Sequence, residues 1–242
     1  MENSEFYLGV ETSGHSGSIA ITGPGQQTAQ IDLQQQGRKH AQTLVAEVKK
    51  LLEQLELAPV QIRGVGVSRG PGSFTGLRIG TTFAKTFAYA TGCPVLGIDT
   101  FEAIALNCPL AIQEISVISN AQRGDLFVGK YVRISDDQWE CTAEIDVCEI
   151  TDFCRSLTPG DTVTGPGMEL LEPSTLSDIR LLEPELRFPV AAKIAEMTAR
   201  ILQNRPPAHH ESLNEVWNLT PFYLRKSAAE EKWDALQQNQ TD

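Results

Sequence analysis

The chain has 242 residues, 41% of them hydrophobic and 21% charged, enough for one large or two modest domains with a buried core. Its 31 acidic and 20 basic residues give a formal net charge of −11, and the basic ones are scattered, which makes the chain a poor stand-alone nucleic-acid binder, since phosphate contacts need clustered Lys and Arg. The absence of a basic-then-apolar leader at Met1–Phe6, of any apolar run near the ~20 residues that span a bilayer, and of any C-x-x-C pair among Cys93, Cys108, Cys141, Cys148 and Cys154 predicts a soluble, reduced, cytoplasmic protein with no membrane contact.

The apolar run Phe6–Val10 predicts a strand buried on both faces. A polar turn over Glu11–Gly17 follows, then strands at 18–22 and 28–33 joined through Gly23-Pro24-Gly25, so that the first three strands are antiparallel neighbours. From Arg38 the period changes. Ala41, Leu44, Val45, Val48, Leu51, Leu52 and Leu55 recur at helical spacing, which predicts an amphipathic helix ended by Pro59. The stretch Ile62–Ser68 reads as a further buried strand.

It runs into Gly70-Pro71-Gly72-Ser73-Phe74-Thr75-Gly76-Leu77-Arg78-Ile79-Gly80, and Leu77–Ala90 carries apolar residues at helical spacing. A glycine-rich turn between a strand and a helix gathers backbone N–H groups and the positive end of a helix dipole, a recipe for receiving an anion or for close backbone packing. Its spacing is that of neither the dinucleotide fingerprint nor the phosphate-binding loop. Ser73 and Thr75 are expected to cap the helix, because Ser73 lacks the spacing of a nucleophile elbow. Gly92-Cys93-Pro94 ends the helix and Pro94–Ile98 reads as a fifth strand. The order β-β-β-α-β-α-β is that of a ribonuclease-H-like domain, the unit of the actin, Hsp70 and sugar-kinase superfamily.

A second half is expected from about Phe101. It holds a short helix over Phe101–Leu106, strands at 115–118 and 126–134, and a hairpin partner over Trp139–Val147. Thr151 is expected to cap a helix through Leu157, and Thr162–Thr164 forms a short strand. A turn at Gly165-Pro166-Gly167 leads to Met168–Leu171. A clear helix spans Pro189–Asn204, with Pro189 in its first turn and Arg205-Pro206-Pro207 as its stop. The tail from Ser227 is polar and expected to fray.

For chemistry, His15, His40, His209 and His210 form no metal-binding pair, and His209-His210 lacks partners at useful spacing. If the Glu11–Gly17 turn received phosphates, as the equivalent hairpin does in actin-like phosphotransferases, Glu11 would be the magnesium acid, with Thr12 and Ser13 beside it. The matching position of the second half is the neutral Asn120, which removes most of what holds such an ion. The phosphate machinery therefore reads as degenerate. On the helix after the glycine motif, Gly76, Gly80, Ala84 and Ala88 form a stripe of small residues flanked by Ile79, Phe83 and Phe87. That stripe suits close packing, either against the helix at Ala41–Leu55 within the chain or, together with it, against a partner subunit.

The eleven residues Gly70–Gly80 resemble the hallmark of the TsaB (YeaZ) family of bacterial tRNA threonylcarbamoyladenosine biosynthesis proteins. Leu8–Ser13, Ala121–Phe127 and Pro221–Arg225 are similar to three further family segments, in the same order along the chain. Departures are Glu11, Asn120 and Gln122, where the family carries Asp, Asp and Arg.

The resemblance implies an actin-like fold of two ribonuclease-H-like halves, with mixed sheets flanked by helices and the second half reduced. The first half would be 1–102, joined by 207–242, and the second 103–206. It also implies a non-catalytic scaffold that activates the paralogue TsaD. TsaD transfers threonylcarbamoyl to the adenosine beside the anticodon of tRNAs reading ANN codons. The two proteins would pair through helices carrying Ala41, Leu44, Val45, Val48 and Leu52 and Ile79, Gly80, Phe83, Ala84 and Phe87. The ATPase TsaE would join them. ATP or ADP and a divalent metal would reside on TsaD or at the joint interface, none on this chain alone, and tRNA would be met only through the complex. Bulky replacements of Gly80 or Ala84 would then break the complex and spare the fold. Self-association of the isolated chain stays open. An actin-like ATP-dependent phosphotransferase or ATPase, using Glu11 and Ser13, is the alternative, and a peptidase lacks the metal pair or nucleophile it needs.

Overall fold

The computed structural model describes residues 5–33, 40–172, 176, 178–204 and 213–225. Expectations for Arg205-Pro206-Pro207, for His209-His210 and for the tail after Ser227 lie outside them.

The first half is a five-stranded sheet. Strands β1 (Phe6–Glu11), β2 (Gly17–Thr22) and β3 (Thr28–Leu33) are antiparallel, while β4 (Ile62–Gly70) and β5 (Val95–Asp99) run parallel to β1, in the order β3-β2-β1-β4-β5. Helices α1 (His40–Gln54) and α2 (Phe74–Thr91) provide the crossovers that parallel pairing requires.

The second sheet repeats this plan. Strands β6 (Glu114–Gln122), β7 (Asp125–Ser135) and β8 (Gln138–Cys141) are antiparallel, and β10 (Thr162–Thr164) and β11 (Arg180–Leu181) add in parallel beside β6. The expected single hairpin partner over 139–147 is broken into β8 and β9 (Asp146–Glu149), both paired to β7. The two halves are ribonuclease-H-like units in an actin-like arrangement. The second is reduced: its first crossover helix is the seven-residue α4 (Ile150–Ser156), and among the described residues between β10 and β11 the longest element is the five-residue 3-10 helix Pro166–Leu170.

Each half lends a helix to the other. Helix α3 (Thr100–Ala105) follows β5, yet Phe101 and Ile104 bury among Val117, Tyr131 and Trp139 of the second sheet. Helix α5 (Ala191–Gln203) arises from the expected second half and packs on β1, β2 and β4 of the first sheet. The sequence of β4 accounts for the fit. Val65 and Val67 face the α1 and α2 side, where they join Leu8, Val10, Leu44 and Val48. Gly64 and Gly66 face α5, and a Cβ on Gly66 would lie 1.9 Å from Thr198 Oγ1. Period-two alternation thus gives one sheet a large-residue face for α1 and α2 and a small-residue face for α5.

Two caps differ from expectation. Glu149 rather than Thr151 precedes α4, and no side-chain cap forms there. Helix α5 begins at Ala191 with Val190 at its N-cap, so Pro189 lies outside. Residues Leu213–Asn218 form a helix, α6, which sequence periodicity missed. No helix among the described residues is long and apolar enough to cross a membrane.

Candidate functional site

The glycine motif and the Glu11–Ser13 turn come together as one structure. Gly70 ends β4 in a positive-φ conformation (φ 123°), and Ser73 caps α2 by accepting from Gly76 N at 3.3 Å. Thr75, expected to cap as well, is an exposed residue of the first helical turn. Ser73 N donates to Ser13 O at 2.7 Å, and Thr12 Oγ1 donates to Gly76 O at 2.8 Å. A Cβ on Gly76 would lie 1.9 Å from Thr12 O, and one on Gly80 would lie 2.3 Å from Thr12 Oγ1. The motif's small residues are therefore used to seat the β1–β2 turn on the first two turns of α2.

Glu11 lies beneath this joint and is fully buried. Its Oε1 accepts from Ser13 Oγ at 2.6 Å, from Ser13 N and from Gly14 N at 3.2 Å, closing a local ring around the turn. Its Oε2 is buried without a hydrogen-bond partner. Burial pushes its carboxyl up to about 7, against the opposing hydrogen bonds of Ser13. The side chain holds the turn from below and turns no oxygen to solvent.

Between the halves opens a cleft of about 920 Å³. One wall is the motif turn with Ser13–His15, and the other is the β6–β7 turn, Ser119–Arg123. Asn120 Oδ1 accepts from Gln122 N at 2.6 Å, the second-half counterpart of the Glu11–Ser13 bond. Unlike Glu11, it is exposed. That second wall includes Ser119, whose buried hydroxyl has no hydrogen-bond partner. Among the described residues, no three His, Cys, Asp or Glu side chains gather as a metal site. His15 is the histidine among the described residues that lines the cleft, and it is exposed.

The cleft is also lined by a segment, Phe222–Arg225, that periodicity could not reveal, although its residues belong to the Pro221–Arg225 resemblance. Phe222 N donates to Arg69 O at 2.6 Å. The Tyr223 ring stacks 4.8 Å from that of Phe74, and the Arg78 guanidinium lies 4.7 Å from the same ring. Arg78 is thus an exposed cation held over an aromatic face.

The expected partner-facing residues divide by burial. Leu44, Val48, Leu52, Gly80 and Ala84 are buried, and Leu44, Val48, Leu52 and Ala84 belong to the core of the first half. The small-residue stripe faces the chain's own sheet and turn rather than a partner. Gly80 also cannot test an interface without disturbing the fold, because any Cβ there meets Thr12. Ile79, Phe83 and Phe87 are half-buried at the edge of that core, and the Phe83 and Phe87 rings are 5.9 Å apart. Val45 is 61% exposed. The Ala41 side chain lies outside the described residues. Tyr89 of α2 and Trp217 of α6 are also exposed, with ring centroids 6.1 Å apart.

Residues 29–169, more than half of the chain, match the family described as "TsaD: tRNA N6-adenosine threonylcarbamoyltransferase". A Bacillus subtilis (strain 168) protein named "tRNA threonylcarbamoyladenosine biosynthesis protein TsaB" is 32% identical over 124 residues, 51% of this chain and 54% of that protein. The protein of the same name from Escherichia coli (strain K12) is 25% identical over 231 residues, 93% of this chain and 96% of its own length. The chain belongs to the TsaB/YeaZ family, with a TsaD-type domain. The match thus spans about half the length of the Bacillus subtilis relative. The solved structure "YeaZ from Pseudomonas aeruginosa" superposes with a TM-score of 0.73 at 20% identity, over 91% of this chain and all of that one, and so shares the TsaB/YeaZ fold.

Proposed function

We propose that this chain serves the formation of threonylcarbamoyladenosine in tRNA as a non-catalytic activating subunit that docks on a TsaD-type transferase. Membership of the TsaB/YeaZ family supports the pathway. The role within it rests on one contrast. The acid expected at a phosphate site, Glu11, is consumed beneath its own turn, while the outer surface of α1, α2 and α6 leaves Val45, Tyr89 and Trp217 exposed. Burying three such side chains would contribute roughly 5 kcal/mol to association before its entropic costs.

In this reading the docking face consists of Val45, Tyr89 and Trp217 with the half-buried Ile79, Phe83 and Phe87, and the buried members of the two helices act by holding them in place. TsaE joins the pair. ATP or ADP and a divalent metal bind on the transferase or at the shared boundary. With a net charge of −11, this chain meets tRNA only through the complex. In the absence of its partner the same face is available for self-association.

The test is reconstitution with TsaD and TsaE, scoring tRNA modification. Omitting this chain is expected to lower modification at least tenfold. The paired change Val45→Asp and Trp217→Asp is expected to lower TsaD capture at least tenfold with an unchanged melting temperature. Undiminished capture by that folded variant would remove the proposed face, and full modification without the chain would remove the activating role.

A further inference from the structure

Residues 219–225 run from the first half to the second and touch both walls of the cleft. Their footing is firm: α6 buries Val216 in the first core, and Lys85 Nζ of α2 donates to Trp217 O at 3.1 Å. From there the chain passes Gly97, where a Cβ would lie 2.6 Å from Leu219 Cδ1, and bonds through Phe222 N to Arg69 O. Tyr223 covers Phe74 at the start of α2, and Leu224 packs on the second core.

At its far end, Arg225 Nη1 donates to Ala121 O at 2.7 Å and to Gln122 O at 3.1 Å, while Nη2 pairs with Asp125. These groups frame a β-hairpin turn in which Gln122 (φ 68°), Arg123 (φ 61°) and Gly124 (φ 88°) all have left-handed backbone. The two-residue loop Arg123-Gly124 is of a kind that prefers Asn, Asp or Gly, and Gln122 at the end of β6 is left-handed as well, so two long side chains here are held against their conformational preference. Such strain persists where the surroundings over-determine it. The forked guanidinium, bonded to two successive carbonyls and one carboxylate, supplies that constraint from a segment about a hundred residues away.

We propose that residues 219–225 are a strap that shapes the cleft, with Arg225 and Tyr223 as positioning residues. Arg225 fixes the strained β6–β7 turn, and Tyr223 fixes the motif turn opposite. When the strap lifts, both walls lose their hold together, although neither belongs to it in sequence.

Amide hydrogen exchange on the full chain tests this, comparing the parent with Arg225→Ala, Arg225→Lys and Tyr223→Ala. Arg225→Ala is expected to speed exchange at least tenfold over residues 121–126. Tyr223→Ala should do so over Phe74–Leu77. Amides of α1 and β3 should keep their parent rates in both. Arg225→Lys, which keeps the charge and loses the fork, should fall between parent and alanine. Parent-like exchange at 121–126 in the alanine variant overturns the proposal, as does an equal rise over the whole chain, which would mark general destabilisation. If Arg225→Ala does not fold, the lysine and Tyr223 variants carry the same comparison.

Discussion

The two cleft turns occupy equivalent places in the two halves and are held by different means. In each, a side chain near the end of the central strand accepts from the backbone two residues on: Glu11 from Ser13, and Asn120 from Gln122. Beyond that bond they diverge. The first turn is locked from below by a buried carboxylate and from the side by Gly76 and Gly80, which let Thr12 sit against α2. The second keeps an exposed amide and relies on Arg225 from the far end of the chain. A duplicated architecture can thus keep one turn rigid through its own neighbours and place the other under the control of a distant segment.

Breaking the first turn should have the largest effect. Gly76→Ala puts a methyl group where Thr12 O now lies, and neither the helix nor the strand end can yield cheaply. A loss of about 3 kcal/mol is expected, at the upper end of overpacking costs, read as a shift of the urea midpoint. A parent-like midpoint would show that the turn is not clamped against α2.

Glu11→Gln should alter the pH dependence of stability. The carboxyl titrates at about 7 when folded and near 4.5 when unfolded. Between these values the folded chain binds more protons than the unfolded one, so stability falls as pH rises through this window. The penalty is absent below about pH 4.5 and complete above about 7, at roughly 3 kcal/mol by the 1.36 kcal/mol per unit relation. The glutamine variant lacks this loss, so urea titrations at pH 5 and pH 8 should differ less in the variant than in the parent. An equal pH response in both proteins would remove Glu11 as the cause.

In the second turn the effects should be smaller. Gly124→Ala forces a methyl-bearing residue to keep a φ of 88°, for about 1 kcal/mol. Asn120→Ala removes one hydrogen bond at an exposed site and should lower stability by roughly 0.5 kcal/mol. A loss in Asn120→Ala as large as that in Gly76→Ala would erase the contrast between the turns, and thermal denaturation of the two variants side by side measures it.

Much of the architecture was legible in the sequence because it rests on short-range pattern. The apolar run of β1, the helical spacing from Leu44 to Leu52, the Ser73 cap and the break at Gly92 each follow from neighbours within a few residues. The motif and its three companion segments were enough to point to the family. Elements with little periodicity of their own, such as two-residue β11 and six-residue α6, were not legible. Nor was the start of α5, where Pro189 fits a first turn by preference while the helix begins two residues later.

By itself, the sequence determined the order of strands and helices in the first half and the glycine-rich joint after β4. Only the tertiary structure decided what those features face. The stripe of Gly76, Gly80 and Ala84 has the same spacing whether it meets a partner helix or its own sheet, and Thr12 settles that it turns inward. Glu11 has the same place in sequence whether it offers an oxygen to a cleft or closes a ring with Ser13. The grip of Arg225 on Ala121 and Gln122 has no local signal, since it depends on a fold that brings together residues more than a hundred positions apart. Periodicity encodes that a side has a distinct chemistry, and long-range packing alone selects which surface meets it.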